Sequence, residues 1–269
     1  MRRTILIAGC LAGALLLTPV HAQTIANDRQ QVESWLKSKY PTIGVADYAR
    51  GELAFGAEPP ARWADAAQRA DALARGKIGW ERKFKNGKSL ASCFPNGGKR
   101  VAATYPQFDA KTAQVVTFEG AINRCLTLYG QPEVNFTADR NAGEMLAYAR
   151  SLSKGIPTNV RVPTKEAQTQ YDAGKRLFYT RLGSRNQACA SCHVRHAGEV
   201  MLEQTLTAAI GQTTNWPRIN PDGTIATLQS QYQACFRRVG AEAPATGSAA
   251  MNGLEYFHTG LSARMALGQ

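Results

Sequence analysis

The pattern of apolar and polar positions falls into one unbroken apolar run and then a series of short amphipathic stretches. The run "TILIAGCLAGALLL" follows the charged start "MRR" and leads through Pro19 to the small-residue segment "VHA". That order reads as an export signal over residues 1–22, with Ala22 last. The run is short for a bilayer span and breaks at Pro19. The box "IAGC" at 7–10 resembles a lipoprotein cleavage site, but apolar residues continue beyond Cys10. No later stretch is apolar enough to span a membrane. The mature chain is therefore expected to be soluble, in an oxidising compartment, the periplasm.

Beyond the signal the periodicity is mainly helical. "NDRQQVESWLKSKY" suits a helix capped by Asn27 or Asp28, and "PPARWADAAQRADALARGK" a second helix opened by proline. In "IGWERKFKNGKSLASCF" the pair Asn86-Gly87 predicts a hairpin turn between short extended runs. "TFEGAINRCLTLYG" and "AGEMLAYARSLSKG" read as helices, the second ending at Gly155. "GIPTNVRVPT" has two prolines and little periodicity, which places a domain boundary near residue 156. Next, Thr164 can cap a helix carrying Tyr171, Gly174, Leu177 and Phe178 on one side, with Gly183 at its end. Two more helical stretches, "ATLQSQYQACFRRVGAEAP" and "GSAAMNGLEYFHTGLSARMALG", close the chain. No short repeat stands out.

Length and charge narrow the class. A chain of 269 residues suits two modest domains: 23–155 and 156–269 after the signal. The formal net charge is +12, and loss of Arg2 and Arg3 with the signal lowers it by two. The cations are scattered rather than gathered in a block, and an exported chain argues against nucleic acid as partner.

The chemistry gathers at "NQACASCHVRHAG", where Cys189, Cys192 and His193 form C-x-x-C-H. This spacing is that of covalent haem c attachment: two thioether links and one axial histidine. An amphipathic helix and a turn ahead of it match the start of a cytochrome c fold. "MLAYARSLSKG" in the first half resembles that fold's closing helix before any haem motif has occurred. The expected architecture is mainly α, with two cytochrome c-like domains. The first lacks haem and carries a short β-hairpin, and the second binds one covalent haem c.

What faces the iron opposite His193 decides between an electron carrier and an enzyme. His196 lies too close in sequence to reach the far face. His258, Met201, Met251 and Met265 are candidates, and so is Cys235 in "YQACFRRVG", with Arg237 and Arg238 nearby to favour thiolate. Cysteine arithmetic bears on the choice. Cys10 leaves with the signal, Cys189 and Cys192 take haem, and Cys93, Cys125 and Cys235 remain, an odd number. The simplest arrangement joins Cys93 to Cys125 and leaves Cys235 over. Other pairings stay open on these grounds.

The second half resembles the SoxA family, the haem subunits of the SoxAX complex of bacterial thiosulfate oxidation. The matching residues are "YDAGKRLFYTRLGSRNQACASCH", "AIGQTTNWP", "TLQSQYQACFRRV" and "GLEYFHTGLS". The resemblance implies that Cys235 is both the second axial ligand, with His193, and the catalytic sulfur, carrying a persulfide. It also implies the single-haem type. "SLASCFPNGG" keeps Cys93 but lacks the other cysteine and the histidine of a haem motif, so Cys93 and Cys125 would form a disulfide. The implied reaction attaches thiosulfate to a cysteine of the carrier protein SoxY and passes two electrons to a c-type cytochrome. SoxX is the implied partner subunit. One departure stands out: family members commonly have arginine four residues before the catalytic cysteine, and here that residue is Gln231. Gln231 is thus a possible substrate contact without charge, and Arg218, Arg237 or Arg238 could replace the missing cation. The rival readings are an electron-transfer cytochrome with a Met or His ligand and a thiosulfate dehydrogenase forming tetrathionate.

Overall fold

A computed structural model describes residues 20–58, 64–201 and 203–268. Most of the expected export signal at 1–22 lies outside them, as do Pro59 and Pro60 of the expected second helix. Among the described residues, eight α-helices and six short strands are arranged as two similar halves, each with its own core.

In the first half, α2 (Ala66–Glu81) crosses α5 (Arg140–Ser151). The crossing is close because α2 carries Gly76, where a Cβ would come within 2.0 Å of the Glu144 carbonyl oxygen. Between them lie α3 (Leu90–Cys93), the hairpin β1 (Gln107–Asp109) and β2 (Gln114–Val116), and α4 (Phe118–Leu128). Their core holds Trp80, Leu90, Phe94, Phe118, Ile122 and Leu146. Trp80 stacks on Phe94 with ring centroids 5.4 Å apart. A disulfide joins Cys93 of α3 to Cys125 of α4, with Cα atoms 6.2 Å apart.

The second half repeats this plan. Helix α6 (Lys165–Tyr179) crosses α8 (Ala249–Leu261), and the close approach is again at a glycine. A Cβ at Gly174 would lie 1.8 Å from the Gly253 carbonyl oxygen. The short hairpin β3 (Val200–Met201) and β4 (Gln204–Thr205) follows the C-x-x-C-H turn. A further hairpin, β5 (Arg218–Ile219) and β6 (Ile225–Ala226), leads into α7 (Leu228–Arg238). Thr117 caps α4 and Thr227 caps α7, each by accepting an N–H bond at its third residue on. Cys125 and Cys235 stand at the same place in these two helices, and Gly130 and Gly240 follow them at the same distance, both with positive φ. "LASCF" at 90–94 is the counterpart of "CASCH" at 189–193. Ser92 Oγ accepts from Ser89 N at 2.8 Å, as Ser191 Oγ accepts from Ala188 N at 3.1 Å. Leu90 and Phe94 therefore stand where Cys189 and His193 stand in the second half.

Several helix ends differ from the sequence reading. The first helix, α1, runs over Val20–Lys39, so Asn27 and Asp28 are interior rather than caps. Asp28 is buried and pairs with Lys175 Nζ at 2.5 Å. The cap of α2 is Asp65, in a reciprocal capping box with Gln68. Asn86-Gly87 does form a tight turn, closed by Phe84 N donating to Lys88 O at 2.7 Å. It joins no strands, because Ile78–Glu81 continues α2 and Ser89 already begins α3. The hairpin of this half is β1–β2. Helix α5 stops at Ser151, short of Gly155, and α6 stops at Tyr179, short of Gly183. Gly183 instead lies against the end of α7, where a Cβ would sit 2.2 Å from Val239 O.

The segment near residue 156 is tied to the chain end. Thr158 N donates to Met265 O and Leu267 N to Ile156 O, at 2.8 and 2.9 Å. Leu267 is buried in the first core. In the other direction, α1 and the 3-10 segment Val45–Phe55 pack into the second core, through Val32, Leu36 and Tyr48. Among the described residues no helix is long and apolar enough to cross a membrane.

Candidate functional site

The site lies in the second half, where the fold leaves a cavity instead of a filled core. Cys189, Cys192 and His193 line it from the turn after α6, and Cys235 lines it from α7. Phe178, Leu206, Trp216, Leu228, Tyr232 and Phe236 make its wall largely apolar. The C-x-x-C-H turn continues into one turn of π-helix, Ser191–Arg195, in which no residue is fully buried.

His193 is fixed by its own neighbours. Its Nδ1 is 2.8 Å from Thr207 O, a bond in which the ring nitrogen donates. Ala209 N donates to His193 O at 2.7 Å. Gln212 Nε2 donates to Thr207 Oγ1 at 2.8 Å and steadies that residue. With the proton on Nδ1, Nε2 is the basic nitrogen, the arrangement in which an imidazole serves as a metal ligand. Burial lowers the basicity of His193 and so favours its neutral form.

The end of α1 and the residue that follows it hold the turn from outside. Trp35 Nε1 donates to Val194 O at 3.1 Å, Lys39 Nζ to Arg195 O at 3.1 Å and Tyr40 OH to Ala197 O at 2.7 Å. Nothing in the spacing of α1 announces this task, because the three donors reach backbone carbonyls more than a hundred residues away.

Three sulfurs share the cavity. Burial pushes the Cys189 thiol up to about 12, and the nearby Cys235 sulfur adds to the rise. Cys192 is raised too, first by burial and then by Cys235, while Arg238 opposes the shift. Cys189, Cys192 and Cys235 form no disulfide. Cys235 is thus within electrostatic reach of both haem-motif cysteines, on the element opposite their turn. Gln231, one turn earlier on α7, directs Nε2 at Cys235 Sγ at 3.6 Å.

The remaining candidates separate clearly. His258 is buried and both of its ring nitrogens are used: Nδ1 accepts from Tyr232 OH at 2.8 Å and Nε2 donates to Ala209 O at 3.1 Å. Burial pushes its pKa down to about 3, which keeps it neutral. His196 faces outward and pairs with Glu199 Oε2 at 2.9 Å. Met251 and Met265 are buried in the second core away from the cavity. Met201 does line the cavity, from the partly exposed strand β3. Of the three arginines considered, Arg218 and Arg238 line the cavity and Arg237 does not. Arg185 also lines it, a residue that the sequence reading passed over because it sits in an irregular turn.

These residues fit a covalently held haem: two cysteines and an oriented histidine on one turn, an apolar wall, and a sulfur across from them. The fold and the site are those of a c-type cytochrome. A family model described as SoxA/TsdA, cytochrome c domain, matches residues 75–158, the half that has no C-x-x-C-H. The L-cysteine S-thiosulfotransferase subunit SoxA of Chlorobaculum tepidum is 32% identical over 97% of this chain and 96% of its own length. The protein of the same name from Allochromatium vinosum is 31% identical over 93% of this chain and 90% of its own. A chain in the crystal structure of SoxXA from P. pantotrophus superposes with a TM-score of 0.66 at 25% identity, covering 78% of this chain and 84% of that chain. The chain belongs to the SoxA family, and it is a c-type haem protein.

Proposed function

We propose that this chain is the thiosulfate-oxidising subunit of a periplasmic L-cysteine S-thiosulfotransferase, working beside a SoxX cytochrome subunit. Its relatives of matching length carry that enzyme name. The observation that carries the residue assignment is the place of Cys235. It lines the cavity of the C-x-x-C-H turn, at the helix position where the first half puts the disulfide partner of Cys93. In this reading Cys189 and Cys192 would hold the haem through thioether links, and His193 and Cys235 would bind its iron. The mature chain divides near residue 156 into a haemless unit, 23–155, and a haem unit, 156–269. The two separate cores support that division, with α1 leaning on the second unit.

Bound haem c supplies a one-electron path out of the site. The protein residues do the sulfur chemistry. The sulfane sulfur of thiosulfate bonds to the Cys235 sulfur as two electrons leave singly for a c-type cytochrome. A SoxY cysteine thiolate then attacks that sulfane sulfur. The bond to Cys235 breaks, and Cys235 departs as thiolate, a thiol–disulfide type of exchange. Thiosulfate and one carrier thiol give a carrier S-sulfonated persulfide, one proton and two electrons. Gln231 donates to the sulfur of Cys235 and so orients it and tempers its charge.

The test is the electron paramagnetic resonance of the ferric holoprotein. Thiolate opposite histidine is expected in the parent. Cys235→Met should change the signal to that of a neutral sulfur ligand while haem attachment survives. An unchanged signal in Cys235→Met would remove Cys235 from the iron.

A further inference from the structure

Thiosulfate carries two negative charges, but the side chain one turn before Cys235 is a neutral amide, Gln231. An amide can donate to an oxyanion, yet a guanidinium does so with charge and with a matching fork. Some other cation is therefore expected where the anion meets the Cys235 sulfur. The described arginines that line the cavity are Arg185, Arg218 and Arg238.

Their anchors divide them. The Arg218 head group lies beside Thr207, since a Cβ on Gly51 would meet Thr207 Cγ2 at 3.7 Å and Arg218 Nη2 at 3.8 Å. Thr207 is the residue that holds the His193 ring, so Arg218 belongs to the histidine side. Arg185 and Arg238 belong to the α7 side. Arg238 stands three residues after Cys235, in the last turn of α7. Its charge reaches Cys192 and His193. Arg185 is tied to the same helix end, where its N–H donates to Val239 O at 3.1 Å. Ser184 N reaches Gly240 O beside it, at 3.4 Å. The end of α7 turns its carbonyls, and thus partial negative charge, toward this edge, which two cations offset.

We propose that Arg185 and Arg238 form the oxyanion-binding side of the thiosulfate site, supplying the charge that Gln231 does not. This rests on Cys235 being the reacting sulfur. The sulfonate group of thiosulfate would lie between the two guanidinium groups, with its sulfane sulfur toward Cys235 and the Gln231 amide. Arg238 also bonds Gln204 Oε1, at 3.3 Å, so the β3–β4 hairpin helps to hold it at the mouth.

The experiment is steady-state thiosulfate conjugation by holoprotein variants, with the haem potential and haem content measured on the same samples. Arg185→Gln and Arg238→Gln should each raise KM for thiosulfate about tenfold with kcat within about twofold, and the double variant more. Arg238→Lys should recover part of the loss. Arg237→Gln, which removes the same charge outside the cavity, should leave KM unchanged. The salt dependence of kcat/KM should weaken in the double variant. Normal KM values in both glutamine variants would overturn the proposal. So would a changed potential or haem content at unchanged KM, because the arginines would then serve the haem and not the substrate. Failure of the underlying reading shows separately: Cys235→Met would keep conjugation activity, whatever the arginine variants do.

Discussion

At the scale of single residues, the site is controlled by what each polar atom is bonded to. His193 and His258 both line the cavity, yet only His193 has a ring nitrogen left for iron. The difference lies in one carbonyl, Thr207 O, against two partners for His258. Gln231 provides the clearest residue-level test. A donor on a ligand sulfur reduces its electron donation and so favours the ferrous state. Gln231→Leu should lower the haem potential by roughly 20 to 60 mV, the electrochemical equivalent of one ordinary hydrogen bond. Redox titration checks this. A potential unchanged to within a few millivolts would mean that the amide does not reach the sulfur. The C-x-x-C-H turn was legible in the sequence because covalent chemistry leaves its own spacing, whereas the role proposed for Cys235 follows from the family resemblance. Arg185, Thr207 and the donors Trp35, Lys39 and Tyr40 were not, because backbone carbonyls and irregular turns have no residue code.

At the scale of elements, each half depends on one tight helix crossing and one tie across the space below it. In the first half the tie is the Cys93–Cys125 bond, with Leu90, Phe94 and Trp80 filling the space. In the second half the same backbone positions belong to Cys192 and Cys235, and the space is a cavity. Cys125→Ser should therefore cost about 3 to 4 kcal/mol by the chain-entropy account, read from urea unfolding, while haem content is kept. Loss of haem from this variant would show that the halves are not separately organised. Gly174→Ala should be at least as damaging, about 2 to 3 kcal/mol or worse, since its Cβ would strike the Gly253 backbone rather than a side chain able to move. Melting within a degree or two of the parent would contradict that packing. The helices themselves were readable from their periods, and α6 also from its Thr164 cap, whereas the caps of α1 and α2 were not. Their duplication was not, because one core is filled with aromatic residues and the other is shaped around a cofactor. The repeated positions are caps, glycines and cysteines, too few to register as a sequence repeat.

At the scale of the whole molecule, the two halves meet over buried charge. Glu255 of α8 is buried, accepts from Gln229 Nε2 at 2.9 Å, and lies near Glu119 and Arg150. Burial, with Glu119 adding to it, pushes its pKa up to about 8. A carboxyl raised in this way binds its proton more tightly in the folded state than in the unfolded one. Its contribution to stability is full below the usual glutamate range and is lost as pH rises toward about 8. Denaturant unfolding between pH 5 and 8 should show that decline, and Glu255→Gln should flatten it. A parent protein whose stability does not fall over this window, or a variant with the same slope, would mean that Arg150 keeps Glu255 ionised.

The central claim is that Cys235 is the sulfur on which the chemistry happens. The most direct measurement is the intact mass of the SoxY carrier after incubation with thiosulfate, an oxidised c-type cytochrome and Cys235→Met holoprotein. The haem motif is untouched in that variant, so it should retain its covalent haem. No mass increase on the carrier is predicted, against full conversion by the parent. A carrier fully converted by the Cys235→Met protein would contradict the account.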